Sequence, residues 1–355
     1  MASPIRISEK ALSYTSRGNK FVFHPNHIDN MLSKNGKGVI SAHIAPTNKC
    51  NLDCSYCNQD NRDKSKFLDM ETIQDFVLML KERGLKAAIV TGGGEPTFYP
   101  QFNKLVNWLD ENNLETALIT NGTNNMAGKE PIGVWDKFSW IRISLNFVGD
   151  KLREVKVPKA KGDIGLSLVY QKQNMDSFMQ IQKVANNLDA KYVRVVPDCS
   201  LDETIQKSKY DELGEFLDKL NDSRFFVQTK LPEPAVLGHC PQSKIRPFLL
   251  ASGEVAPCDC YMLNRDESGN ILKGFPADFN LAPNGPLSYA DYLDGKFQPK
   301  FNPIKTCNAC AFVNNNRILD ELAKLKEKNP NLSAKYLFEA MGIFPDERVN
   351  HRNFI

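Results

Sequence analysis

The chain has 355 residues, of which 41% are hydrophobic and 25% charged, and its 45 basic and 42 acidic side chains leave a formal net charge of +3. These ordinary globular values exclude wholesale disorder and low-complexity architecture, and the length suggests two or three domains. Because the basic and acidic side chains nearly cancel, nucleic acid or an anionic membrane is disfavoured as a partner. No apolar run approaches the roughly 20 residues of a membrane span. Because no secretory signal is visible, we expect a cytoplasmic protein.

Strand and helix patterns alternate through the first two thirds of the chain. Residues 1–38 are a polar N-terminal extension with a turn predicted at 24–27. Short apolar runs predict six strands, at residues 39–44, 86–91, 115–120, 140–145, 165–170 and 192–196. Apolar stripes at helical spacing predict helices at 71–83, 101–111, 176–188 and 207–220. Such alternation indicates parallel βα units and a full or partial barrel within residues 39–230, with its chemistry at the carboxyl ends of the strands.

The strand–helix alternation breaks after residue 200, and a second unit is predicted to begin at residue 231. Residues 231–312 are rich in Pro, Gly, Asn and Cys, which indicates a small module held together by metal. The remaining segment, residues 313–355, is a helical tail with helices predicted at 314–328 and 333–341. We expect three structured units after the N-terminal extension.

The cysteines fall into two groups, with a single one between them. In a chain of this length without a signal peptide, metal binding or redox chemistry is a better explanation than a disulfide framework. The grouping therefore predicts two metal sites. The nine cysteines are Cys50, Cys54, Cys57, Cys199, Cys240, Cys258, Cys260, Cys307 and Cys310.

The first group has the spacing CxxxCxxC, from Cys50 through Cys54 to Cys57. Three thiolates at this spacing suit a loop around a [4Fe–4S] cluster, in which the fourth iron lacks a protein ligand. An open coordination position is typical of a reactive metal site. A zinc loop is the alternative, and its fourth ligand would then be His43.

Two segments resemble the radical SAM superfamily. Residues 44–57 read IAPTNKCNLDCSYC, and residues 91–97 read TGGGEPT, which is similar to that family's GGE motif. Without the cysteines, the glycine run would indicate only a tight βα turn. The resemblance covers about residues 39–200 and implies a partial (β/α)6 barrel that binds a [4Fe–4S] cluster and S-adenosylmethionine (SAM). It also implies reductive cleavage of SAM to a 5′-deoxyadenosyl radical, and an external one-electron donor such as flavodoxin or ferredoxin.

The resemblance assigns cofactor-binding roles to side chains that follow the strands. Glycines let backbone carbonyls approach a ligand closely, and Glu95 or a carbonyl would meet the methionine ammonium. Ser144, Asn146 and Asn174 would contact the methionine carboxylate or the ribose, and Arg194 suits a carboxylate because its guanidinium is a fork of donors. The structural alternative for each is a turn residue or a strand end. The full predicted set is Tyr56, Gly93, Gly94, Glu95, Asn121, Ser144, Asn146, Asn174 and Arg194.

The second group resembles the twitch module, the half-size relative of the SPASM domain that follows some radical SAM barrels. The resemblance implies an auxiliary [4Fe–4S] cluster held by four thiolates, Cys240, Cys258, Cys307 and Cys310. A four-cysteine structural zinc site is the alternative. Cys260 could replace Cys258, although the distance from Gly253 favours Cys258.

The resemblance predicts radical chemistry on a small polar metabolite, such as a sugar, a cyclitol or a nucleoside-like compound. An auxiliary cluster that accepts an electron would give oxidation, whereas a thiol that returns hydrogen would give epimerisation. The candidate hydrogen donors are Cys199 and Cys260. A peptide-modifying enzyme is an alternative, although the 49 residues before Cys50 leave little space for a peptide-binding domain. A non-catalytic iron–sulfur protein is the other alternative.

Overall fold

The structure is a computed structural model, and it describes residues 13–14, 19–57, 59, 62–198, 201, 203–228, 233–266, 268, 272 and 274–355. Its centre is a nine-stranded sheet in the order β7-β6-β5-β4-β3-β2-β1-β8-β9. Every pairing is parallel except that between β8 and β9. The strands are β1 (Ser41–Ile44), β2 (Ala87–Val90), β3 (Glu115–Thr120), β4 (Phe138–Leu145), β5 (Asp163–Tyr170), β6 (Tyr192–Pro197), β7 (Phe225–Val227), β8 (Phe248–Leu249) and β9 (Val255–Ala256).

Helices connect most of the parallel strands, as expected for βα units. The connection from β4 to β5 instead contains a small hairpin of Phe147–Val148 and Lys151–Leu152. The helices are α1 (Pro25–Leu32), α2 (Met70–Lys81), α3 (Phe102–Glu111), α4 (Met175–Leu188), α5 (Glu203–Leu220), α6 (Gln242–Ile245), α7 (Tyr289–Leu293), α8 (Pro303–Thr306), α9 (Val313–Lys328) and α10 (Ala334–Ala340). No helix within the described ranges has the length and apolar character that crossing a bilayer requires.

The predicted α/β fold with a partial barrel is confirmed, and all six predicted strands are present as β1–β6. The predicted helices are also present, with ends that shift by up to four residues. The turn predicted at residues 24–27 is wrong, because helix α1 begins at Pro25. Proline suits the first helical position, where its missing N–H would lack a partner anyway.

The two faces of the sheet have different partners. One face packs on the helices in the main core, where Ile44 and Val90 of the strands join Phe76 and Leu105 of the helices. The other face is the interior of the partial barrel, and it mixes small apolar residues with polar ones. The alternation of side chains along each strand separates these two sets.

The predicted modules share this sheet. Strand β8 lies in the segment predicted as a separate metal module, and yet it pairs in parallel with β1 through His43 and Phe248. The N-terminal α1 and the helical tail also form one apolar cluster, in which Ile28 packs with Leu337 and Phe338. The boundaries predicted at residues 38 and 230 therefore do not coincide with breaks in packing.

The C-terminal residues close the amino end of the barrel. Phe354 packs in the interior against Ala87 and Ala117, and its ring meets Trp140 edge-on at 5.4 Å. His351 lies 2.8 Å from a carboxylate oxygen of Asp163, the first residue of β5. The tail thus occupies the end of the barrel opposite to the loops that carry the first cysteines.

Candidate functional site

The loop after β1 brings the three cysteines of the first group together. The Cys57 backbone N–H donates to the Cys54 carbonyl at 2.9 Å, and the Leu52 N–H donates to Cys50 Sγ at 3.4 Å. Burial raises the pKa of the Cys54 thiol, and the neighbouring Cys57 and Cys50 raise it further. The three thiols thus lie near enough to influence one another electrostatically.

The glycine run after β2 packs against the backbone that leads into this loop. The Gly94 N–H donates to the Thr47 carbonyl at 3.0 Å, and the Glu95 N–H donates to the Lys49 carbonyl at 2.8 Å. A Cβ atom on Gly94 would lie 2.1 Å from the Lys49 carbonyl oxygen. A Cβ atom on Gly93 would lie 2.0 Å from Asn48 Oδ1. Glycine is required here because it lets the two loops approach so closely. Carbonyl contacts from Gly93 and Gly94 to a cofactor stay a prediction.

Gly94→Ala should therefore displace the cysteine loop. The added methyl group collides with backbone, so we expect a loss of stability of about 1–3 kcal/mol and a clear fall in reconstituted iron. Thermal unfolding and iron analysis would measure these effects. Gly133→Ala is the matched control, because a Cβ atom there meets nothing within 4 Å. Equal iron content in the two variants would contradict the packing role.

The carboxylate of Glu95 braces the ends of β2 and β3. It is only 2% exposed, and it accepts hydrogen bonds from the Thr97 N–H at 3.2 Å and hydroxyl at 2.8 Å. It also accepts from the Thr120 hydroxyl and from the Asn121 N–H, each at 2.6 Å. Burial raises the pKa of Glu95, and these hydrogen bonds lower it in part. These bonds tie Glu95 to the strand ends, and its contact with the methionine ammonium stays a prediction.

Asn121 extends the same network to the cysteine loop. Its Nδ2 donates to Asn51 Oδ1 at 3.0 Å and lies 4.0 Å from Cys50 Sγ. Its Oδ1 accepts from the Thr123 hydroxyl at 2.8 Å, and Asn51 Nδ2 donates to that hydroxyl at 2.9 Å. Glu95, Asn121 and Asn51 thus form a continuous chain of contacts from the glycine loop to Cys50.

An open cavity of about 240 Å³ lies between the cysteine loop and the carboxyl ends of β4 and β5. Tyr56 donates from its hydroxyl to Asn146 Oδ1 at 2.6 Å, and Cys54 Sγ lies 3.2 Å from the same oxygen. Asn146 Nδ2 in turn donates to the Ser144 carbonyl at 2.7 Å. The polar residues that line the cavity are Asp53, Cys54, Ser55, Tyr56, Asn146, Arg153, Gln171 and Gln173.

The two remaining cofactor predictions have protein partners. Arg194 donates from Nε and Nη2 to Ser167 Oγ at 3.2 and 2.8 Å, and from Nη1 to Gln228 Oε1 at 2.9 Å. The Asn174 side-chain oxygen caps α4, where it accepts from the Ser177 N–H at 2.9 Å. Neither residue lines the cavity. Asn174 therefore has the structural role of a helix N-cap.

Asn174→Ala should lower the free energy of unfolding by about 1 kcal/mol, which is the usual contribution of an N-cap, and leave SAM affinity unchanged. Anaerobic thermal unfolding and equilibrium binding of SAM would measure the two effects. Asn174→Ser should restore the stability, because a serine hydroxyl caps equally well. Weaker SAM binding at unchanged stability would return Asn174 to the cofactor site.

Arg62 is a contact of the cysteine loop that the sequence reasoning missed. Its Nε donates to the Asn48 carbonyl at 2.9 Å, and its Nη1 donates to the Gln59 carbonyl at 2.6 Å. The same Nη1 lies 3.5 Å from Cys57 Sγ. A single arginine in a polar loop carries no periodic signal, so only the folded loop reveals this contact. Arg62 places a positive charge beside a thiol of the first group.

The four predicted cysteines of the second group also converge. Burial raises the pKa of the Cys240 thiol to about 11 and that of Cys307 to about 12. Burial likewise raises the pKa of Cys258, which also feels Cys240 and Cys307, while Cys307 feels Cys240 and Cys310. The thiols would ionise on binding a metal, since thiolates are the ligands.

Asn316 on α9 lies beside this second group and was not predicted. Its Oδ1 lies 3.8 Å from Cys240 Sγ and accepts from the Gln242 N–H at 3.0 Å. The same side chain also lowers the pKa of Cys310 through a hydrogen bond. Asn316 therefore fixes the loops that carry two of the four thiols.

The structure describes only one of the two candidate hydrogen donors. Cys199 lies outside the described residues. Cys260 is 8% exposed, and its Sγ lies 3.8 Å from Asp259 Oδ1. Its burial beside the second cysteine group fits either an inert thiol or a donor to a closely held substrate. A role in hydrogen donation stays a prediction.

Among the described residues, no three His, Cys, Asp or Glu side chains lie close enough together to bind a single metal ion. The alternative in which His43 is the fourth ligand of a zinc loop is wrong, because its ring contacts Arg246 and Phe248 instead. A [4Fe–4S] cluster holds its thiolates farther apart than a single ion does, because each thiolate binds a different iron. The thiol donors of the first group fit the [4Fe–4S] cluster, and the cluster in the second group stays a prediction.

Comparisons with known proteins agree with this geometry. An S-adenosylmethionine-dependent nucleotide dehydratase of Selenomonas ruminantium is 31% identical over 113 residues, which are 32% of this chain and 40% of that protein. A probable GTP 3′,8-cyclase of Pyrococcus abyssi (strain GE5 / Orsay) is 29% identical over 94 residues, 26% of this chain and 30% of that protein. The chain therefore aligns with less than half the length of each curated relative.

A solved structure shares the fold. The crystal structure of Streptococcus suis SuiB bound to precursor peptide SuiA has a TM-score of 0.54 at 16% identity, and the match covers 92% of this chain and 79% of that chain. The family model described as the Radical SAM superfamily matches residues 44–162, which include both the cysteine loop and the glycine loop. Residues 44–162 are thus similar to the radical SAM domain, and the match includes both loops of the candidate site.

Proposed function

We propose that the protein is a radical SAM enzyme that abstracts a hydrogen atom from a small polar metabolite. The observation that carries this proposal is the loop of three neighbouring thiols, clasped by the glycine run and bordered by a polar cavity at the carboxyl ends of β4 and β5. When bound, the cluster and SAM would supply a 5′-deoxyadenosyl radical for hydrogen abstraction.

The protein's own residues would hold and shield this chemistry. Cys50, Cys54 and Cys57 would ligate three irons, which leaves the fourth free for SAM. Tyr56 and Asn146 line the cavity beside Cys54 and offer polar contacts there. Glu95 acts one step away, because its buried carboxylate fixes the loops that position the thiols. A one-electron donor such as flavodoxin or ferredoxin would deliver the electron.

The second cysteine group would hold an auxiliary [4Fe–4S] cluster through Cys240, Cys258, Cys307 and Cys310. The mutual proximity of these four thiols supports this proposal. Such a cluster could accept the electron that a substrate radical loses on oxidation, for example of an alcohol to a ketone. Epimerisation is the competing outcome, in which Cys260 or Cys199 would return a hydrogen atom.

Among the predicted substrate classes, the names of the relatives favour a nucleotide-like compound. Their names describe a nucleotide dehydratase and GTP cyclases, and a nucleotide combines a sugar with polar groups. The shared segments cover less than half of each of these relatives. A peptide substrate is the second candidate kept from the sequence.

Anaerobic incubation of the reconstituted protein with SAM and a strong reductant tests the proposal. We expect 5′-deoxyadenosine to form, and a protein with its full iron content that forms none would instead be a non-catalytic iron–sulfur protein. Once a substrate is found, turnover in deuterated water separates the two outcomes. An epimerase with a thiol donor should place deuterium on the inverted carbon, whereas a dehydrogenase should not.

A further inference from the structure

The interior of the barrel contains a buried polar cluster that the proposed chemistry does not use. Ser41 and His43 lie two residues apart on β1 and are 0% and 3% exposed. Arg246, which follows α6, is 6% exposed and reaches His43, while Lys20 is 5% exposed. Arg142 of β4 is half-buried, so the cluster is not fully sealed. We call these five residues the interior cationic cluster.

The contact between Arg246 and His43 fixes the protonation of the histidine ring. Arg246 donates from Nε at 3.2 Å and approaches with Nη2 at 2.9 Å, both toward His43 Nε2. Arginine has no acceptor, so Nε2 must accept and the proton of the neutral ring lies on Nδ1. Burial lowers the pKa of His43 to about 3, which agrees with a neutral ring. His43 therefore presents a donor at Nδ1.

Every polar atom left over in this cluster can donate a hydrogen bond. Arg246 Nη1, Arg142 Nε, His43 Nδ1 and Ser41 Oγ are buried and lack a partner among the described residues. The first three are obligate donors, and the serine hydroxyl can donate as well. Buried polar groups in folded proteins are nearly always satisfied. The cluster thus lacks acceptors.

The positive charges of the cluster also favour a bound anion. Arg246 pairs with Asp259 at 2.9 Å, whereas the contact of Arg142 is with the Tyr192 hydroxyl. Burial, followed by the charges of Arg246 and Arg142, lowers the pKa of Lys20 to about 7, and Lys20 Nζ donates to the His351 carbonyl at 3.2 Å. Among the described residues, the two guanidiniums thus have a single ion pair, the one between Arg246 and Asp259. A buried surplus of positive charge is costly unless an anion compensates it.

We propose that the interior cationic cluster binds an anionic oxygen-rich group of the substrate, of the phosphate class. Guanidinium groups suit phosphate because they offer several donors in one plane. The inference rests on the proposed function, since it assigns to that substrate a charged end. Asp259 adjoins Cys258, and Cys240 precedes α6, so the bound group lies between the barrel interior and the second cysteine group. Ordered water alone is the competing occupant, because water can also accept from buried donors.

Equilibrium dialysis of the reconstituted full-length protein against radiolabelled inorganic phosphate tests this site without any turnover. We expect saturable binding that Arg142→Gln weakens at least about tenfold, because a hydrogen bond to a charged group is lost. Lys104→Gln is the control, since it removes one positive charge from an exposed side chain and should leave binding unchanged. Ser41→Ala is a second variant with little risk to folding, and it should weaken binding by a smaller factor.

Competition experiments then distinguish a phosphoryl group of the substrate from free inorganic phosphate as the bound group. A purine nucleoside triphosphate that displaces the label at a lower concentration than unlabelled phosphate supports a substrate phosphoryl group at this site. Failure of the nucleotide to displace the label overturns the assignment to substrate. Absence of binding, or binding that Arg142→Gln and Lys104→Gln leave equal, overturns the site and leaves water as its occupant. Because dialysis requires no SAM cleavage, failure of the site is distinct from failure of the proposed radical chemistry.

Discussion

Replacing Cys50, Cys54 and Cys57 together by alanine should abolish SAM cleavage and remove one cluster. Two four-iron clusters predict about eight iron per chain in the reconstituted wild type and about four in the triple variant. The remaining iron should stay with the second cysteine group, which lies on a separate part of the chain. Iron, acid-labile sulfide and 5′-deoxyadenosine measured on the same anaerobic samples would check these outcomes.

The control for this experiment is Cys260→Ala, which removes a buried thiol that the first cluster does not need. It should retain the wild-type iron and the wild-type cleavage of SAM. Cleavage that survives in the triple variant would contradict the assignment of the three-cysteine loop. About four iron in the wild type and almost none in the variant would mean that the second group holds zinc or nothing. Oxidation through an auxiliary cluster would then lose its support.

The parallel strands and their helices could be predicted from sequence because each carries its own periodic signal. Strand β3 begins and ends where the apolar run predicts, at Glu115–Thr120. Strand β7, only three residues long at Phe225–Val227, was missed because so short a run has no readable period. Strand β8 was missed for the same reason, although it extends the sheet beside β1.

The cysteine positions could be predicted as well, since both groups depend on local spacing and residue type. The partners of the polar side chains could not, because they come from distant parts of the chain. Glu95 accepts hydrogen bonds from Thr120 and Asn121 at the end of the next strand, and no local pattern near Glu95 predicts them. His43 looked available to zinc, but Arg246, about 200 positions later, contacts its ring. Such pairings depend on how the strands and loops meet in three dimensions.

Substitution of Cys258 by serine should remove the auxiliary cluster, while the same change at Cys260 should not. The two residues are separated by one position, yet their surroundings differ. After burial, the Cys258 thiol feels the charge of Cys260 most and then those of Cys240 and Cys307, whereas Cys260 Sγ also lies 3.8 Å from Asp259 Oδ1. Serine keeps the side-chain shape but is a poor ligand for iron. We therefore expect about four iron per chain in Cys258→Ser and about eight in Cys260→Ser.

Elemental analysis of the matched pair decides between the metals as well as between the ligands. About four iron with about one zinc in the wild type, and loss of the zinc in Cys258→Ser, would identify a structural zinc site. Loss of iron in Cys260→Ser but not in Cys258→Ser would exchange the two assignments. If iron is lost only in Cys258→Ser, Cys260 is left as an unligated thiol beside the cluster. Cys260 would then be available as a hydrogen donor, and solvent deuterium in the product would show whether it serves as one.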